Sequence, residues 1–177
     1  MAFDYITYMR NVAINMKAIA HQTTGNGKKF YRVSGLSSME EVLSNLTDTN
    51  MYPAILVNDL EMGRIADEGP ANNYLEKQTH IFYVVGYADL NDFAAKEKSL
   101  SDLKAIVHKI IGKMIHDSNA DYKPLTVRTG MRNLDRRSFF YQVVTGIGPF
   151  CHGYMVSFEI QPSVNAELKY NEDEWTS

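Results

Sequence analysis

Thr79-His80-Ile81-Phe82-Tyr83-Val84-Val85-Gly86-Tyr87-Ala88 is the stretch whose reading decides the fold. From Ile81 onward it is almost continuously apolar, without the alternation that a strand with one wet face shows. It predicts a central strand, from about Leu75 to Ala88, that is covered on both sides. Phe82, Val84 and Gly86 turn one way, and Ile81, Tyr83, Val85 and Tyr87 the other. Asp89-Leu90-Asn91-Asp92 then forms a turn rich in capping residues. The longest amphipathic helix follows, expected from about Phe93 to His116, with Leu100, Leu103, Val107, Ile110 and Met114 as its stripe. Ser99 and Asp102 offer a second capping arrangement and a later start. One helix face cannot cover both sides of the strand. The first helix, the last hairpin or a neighbouring molecule must cover the rest.

Upstream, Tyr5, Met9, Val12, Met16 and Ile19 stand at helical spacing and predict an amphipathic helix from about Phe3 to Ala20. Gly27-Lys28 invites a phosphate-loop reading. The motif fails because Gln22 stands where its first glycine belongs, Lys29 where it needs Ser or Thr, and a helix precedes it instead of a strand. A short strand is expected at Phe30–Val33. Ser37 and Glu40 form a capping-box pattern ahead of a helix to about Leu46. Residues 22–50 look like an inserted segment. A strand is expected at residues 51–58, tolerating Pro53 near its start. The polar stretch from Asp59 to Asn73 is expected to be an irregular acidic loop.

Downstream of the long helix, a short strand is expected at Tyr122–Arg128, and a basic loop at Gly130–Arg137. A terminal antiparallel hairpin follows, from Ser138–Thr145 to Phe150–Gln161, where Tyr154, Val156, Phe158 and Ile160 alternate with polar positions. The order predicts one α+β domain, residues 1–162: a mostly antiparallel sheet packed by one long and one N-terminal amphipathic helix. Residues 163–177 read as an acidic, partly disordered tail ending near Trp175.

Composition narrows the function classes. A chain of 177 residues builds a core without disulfides, and its single cysteine, Cys151, forms no internal one. A net charge of −3 argues against binding duplex nucleic acid by bulk electrostatics. No apolar run approaches the ~20 residues of a membrane span, and the start carries no signal-peptide pattern, so a cytosol-like setting is expected.

No constellation declares a catalytic chemistry, a cofactor or a metal. The five histidines lack zinc spacing, and Cys151 and His152, adjacent on a strand, must diverge. The acidic loop lacks the regular alternation and the glycine placement of a calcium loop. The best recognition candidates are Arg132, Arg136 and Arg137 in the basic loop, whose guanidinium forks suit carboxylates or phosphates. Their acidic counterparts are Asp59, Glu61, Asp67 and Glu68, together with the tail. If the two sets lie on opposite sides of the domain, copies can join head to tail into a ring.

The layout is an amphipathic first helix, the Tyr52-Pro53-Ala54-Ile55-Leu56-Val57 strand, an acidic loop, the Ile81–Tyr87 strand, a long helix and a closing hairpin. It resembles the tail terminator, or tail completion, proteins of long-tailed bacteriophages and prophages. The resemblance implies an α+β subunit of a hexameric ring that caps the tail tube, stops its polymerisation and presents a surface to the head connector. Its partners would be copies of itself, the tail tube protein and connector proteins. Its location would be the host cytoplasm during assembly and then the virion neck. It would have no enzymatic role. The alternatives are another head–tail joining or minor tail protein, or a small-anion-binding or enzymatic α+β domain.

Overall fold

The computed structural model describes residues 3–46, 48–60, 62–67, 74–89, 91–122, 129–146 and 151–169. Their elements run α1 (Tyr5–Asn15), β1 (Phe30–Val33), α2 (Leu36–Asn45), β2 (Ala54–Asn58), β3 (Met62–Asp67), β4 (Tyr74–Tyr87), α3 (Phe93–Ala120), β5 (Leu134–Thr145) and β6 (Cys151–Ile160). The fold is α+β. Its six-stranded sheet has the order β1-β2-β4-β6-β5, with β3 alongside β4 on the β2 side. Every pairing is antiparallel except β1 with β2.

β4 is central because its apolar half is paired on both sides. Phe82 to Val85 meet β2, while Gln78 to Tyr87 meet β6. On one face Phe82 and Val84 join Ile55, Val57, Tyr154, Val156, Phe158 and Ile160 beneath α1 and α3. At Gly86 the helix comes close, since an added Cβ would lie 2.9 Å from Leu103 Cδ1 and Leu103 would have to shift. On the other face Val85, Ala54, Leu56 and Cys151 pack under Met39 and Leu43 of α2, with Tyr83 and Tyr87 at the margin. Residues 22–50 thus supply both an edge strand and the lid of the second core. α2 covers the β1–β2 end of that face. Farther along, Ile81 and Met155 are only partly buried, and Phe140 stands exposed.

Several boundaries differ from expectation, each for a physical reason. The acidic loop contains β3, which pairs with residues 74–79, the polar first half of β4. Its side chains are mostly exposed, so a two-faced wet strand left no apolar periodicity to read. Ser37 does not cap α2. The helix begins at Leu36 behind Gly35, whose φ of 88° is glycine-specific, without a side-chain cap. Asp92 caps α3 by accepting from the Ala95 N–H at 2.9 Å, so the later start at Ser99 does not occur. α3 runs on to Ala120 because Asp117 and Ser118 are buried polar groups with partners, which a hydrophobic stripe cannot signal. α1 stops at Asn15, where Met16 turns extended. The strand expected at Tyr122–Arg128 falls largely on residues 123–128, outside the described residues.

Candidate functional site

The basic loop is a 3-10 turn, Met131–Asn133, followed directly by β5, so Arg136 and Arg137 sit on a strand and not in a loop. The approach to the turn is fixed from within. Asp121 accepts the Thr129 N–H at 2.8 Å, and Gly130 adopts φ 83° against Phe3, whose Cα would lie 2.8 Å from an added Cβ. Met131 is fully buried, which turns Arg132 outward over the Tyr122 ring at 5.4 Å. The Tyr122 hydroxyl donates to the Arg132 carbonyl at 2.9 Å. Arg132 and Arg137 line one shallow groove of about 380 Å³ with Tyr122, Asp135 and Gln161. Arg136 leaves this group. Its guanidinium donates to Asn119 Oδ1 at 2.6 Å and to Ser118 Oγ at 3.3 Å, in the last turn of α3. A cation suits that negative end of the helix.

The acidic set divides as well. Asp59 is engaged inside the fold, accepting from Ser34 Oγ at 2.6 Å and from Arg32 at 3.0 Å. The Ser34 hydroxyl, with Arg32 beside it, holds its carboxyl below the usual carboxylate range. Asp67 ends β3, opposite Tyr74. Glu61 and Glu68 lie outside the described residues. Asp59 and Arg132 share the rim of a larger cleft, of about 820 Å³, at the end of the sheet beside the start of α1. Glu76, Gln78 and His80 of β4 line it, together with Asp4 and Glu167. His80 packs against the rings of Tyr5 (4.6 Å between centroids), Phe158 (5.4 Å) and Phe3 (5.5 Å). Its Nε2 is shut off from water with no hydrogen-bond partner among the described residues, and burial pushes its pKa down to about 4. At neutral pH the cleft therefore carries carboxylates and one guanidinium around a neutral imidazole.

One hydroxyl–imidazole contact was invisible in the sequence. His152 Nε2 lies 2.8 Å from Ser99 Oγ, which ties the second turn of α3 to β6. His152 is fully buried, and among the described residues its Nδ1 has no hydrogen-bond partner. Among the described residues no third group orients the ring in the way a nucleophile–base pair uses. Cys151 points to the opposite face as expected, with its Sγ 2.7 Å from the Tyr52 hydroxyl. Burial raises its thiol pKa, so it is a packed group and not an activated one. Among the described residues no three His, Cys, Asp or Glu side chains converge as metal ligands, and no helix is long and apolar enough to cross a membrane.

The larger recognition surface is one that the basic and acidic tallies missed. β5 is the outermost strand beyond β6, with no strand on its other side among the described residues. Phe140 is 53% exposed, Tyr141 38% and Val143 48%, so apolar groups stand out on both faces of the edge. From Ser138 to Thr145 the strand carries no charged residue. Edge strands ordinarily carry lysine, proline or inward charges against unwanted pairing. The signal was present as an uncharged run apolar on both faces, but it reads the same as a buried strand. No family model, curated protein or solved structure matches the chain.

Proposed function

We propose that the chain is a structural subunit of the tail terminator kind, forming a ring that caps a phage tail tube and meets the head connector. The observation that carries this reading is the long, uncharged, apolar edge of β5, a surface that favours strand or side-chain contact with another subunit. β3 lies on the other side of the β4–β6 pair and exposes Met62 and Ile65. Joining the β5 side of one copy to the β3 side of the next is a heterologous contact, the kind that closes rings. The partly open second face around Ile81 and Met155 adds apolar surface that a tube or connector subunit can cover.

Native mass measurement and electron microscopy of the chain mixed with tail tubes test this. Rings at tube ends, lost in a Tyr141→Glu, Val143→Glu variant that still folds, are the expected result. Arg136→Glu with Arg137→Glu should also weaken association, mainly through Arg137, because Arg136 is engaged by α3. A chain that stays monomeric with tubes at high concentration and leaves their ends bare refutes the assignment. Saturable phosphate binding in the Arg132–Arg137 groove would favour the small-anion reading instead.

A further inference from the structure

We propose that β1's outer edge is a docking groove for an acidic, aromatic-tipped extended segment, and that its occupant is residues 170–177 of the same chain. The Lys29 carbonyl accepts from the Ile55 N–H at 2.8 Å and the Val33 carbonyl from the Asp59 N–H at 3.0 Å. By strand alternation, Phe30 and Arg32 turn their backbone groups away from β2, leaving an edge that an extended segment can join. A groove of about 490 Å³ follows that edge, lined by Arg10, Lys28, Arg32, Phe30, Tyr31 and Val42. Arg10 lies 5.7 Å from the Phe30 ring centroid and Lys28 Nζ 5.1 Å from that of Tyr31. Among the described residues neither cation has an ion-pair partner, whereas Arg32 has Asp59. The groove is thus basic with an aromatic floor.

Charge and reach select the occupant. Residues 170–177 read Tyr-Asn-Glu-Asp-Glu-Trp-Thr-Ser, three acids followed by the only tryptophan of the chain. Glu167 lines the same cleft as Asp59, and Asp59 holds Arg32 of the groove. Beyond Lys169, eight residues can span up to about 26 Å. Tethering raises the local concentration of the segment to about the millimolar range, so modest contacts suffice. This assignment is independent of the ring reading.

Trp175 is its own reporter. Its emission and acrylamide quenching are compared between the full chain, the same chain with Arg10→Glu and Lys28→Glu, and a free peptide of residues 170–177. The wild type should show blue-shifted emission and several-fold weaker quenching than the peptide. The double variant, with unchanged circular dichroism, should quench like the peptide. In ~1 M salt, where the screening length falls to about 3 Å, wild-type protection should drop as well. A wild type that quenches like the peptide overturns the proposal, as does protection that persists in the folded variant. If the variant does not fold, protection that survives high salt overturns it. Protection that grows with protein concentration assigns the groove to another copy's segment and overturns the intramolecular assignment.

Discussion

Replacing His80 by phenylalanine should remove a defined part of the acid sensitivity of this fold. Burial among Phe3, Tyr5 and Phe158 lowers the imidazole pKa from 6.5 to about 4. The unfolded chain then binds the proton more readily than the folded one. Stability is complete above the unfolded pKa and is lost as pH falls through the window down to the folded value. Over the whole window this is worth about 3 kcal/mol. At pH 5 the unfolded imidazole is almost fully protonated while about a tenth of the folded one is, a loss of about 2 kcal/mol. Against a typical total of about 5–15 kcal/mol, that is large enough to measure. Urea unfolding followed by circular dichroism at pH 7 and pH 5 is the assay. His21 and His152 are shifted the same way by burial, so the wild type keeps a slope from them, and only the difference from His80→Phe counts. A phenyl ring fits the aromatic surroundings and has no Nε2 to bury unpaired. If His80→Phe loses as much stability between pH 7 and pH 5 as the wild type, the buried neutral imidazole is refuted.

Three further perturbations probe the packing. Gly153→Ala should cost about 1–3 kcal/mol or more in urea unfolding, because its Cβ would sit 2.1 Å from the Val84 carbonyl oxygen on the paired strand. Val84→Asp should leave no folded protein by circular dichroism, since a fully buried site under α1 and α3 offers an unpaired carboxylate no partner. Tyr8→Phe removes the hydroxyl that donates to Asp117 Oδ2 at 2.9 Å and should lower stability by about 1.5 kcal/mol, near the low end for a charged acceptor. Burial alone would raise the Asp117 carboxyl. The hydrogen bonds of Lys113, Tyr8 and His116 outweigh it and hold the pKa below the usual range, so this contribution persists at neutral pH and is lost only in strong acid.

The sequence by itself determined the elements whose burial is periodic. The unbroken apolar run of β4, the stripe of α3 and the alternation of β6 each record which side chains leave water, and hydrophobic burial is written residue by residue. From these follow the α+β class, the two-faced central strand and the divergence of Cys151 from His152. The tertiary structure alone decided what depends on partners distant in the chain. β3 exists because the polar half of β4 offers it a ladder, and backbone hydrogen bonds leave no trace in side-chain pattern. Arg136 parts from Arg132 and Arg137 because Ser118 and Asn119, eighteen and seventeen residues earlier, arrive beside it. Ser99 meets His152 across 53 residues for the same reason. The sheet order also placed β5 outermost, turning an uncharged apolar run that reads as core into a surface. Side-chain chemistry tells what a strand can bury, and only its neighbours tell whether it is buried.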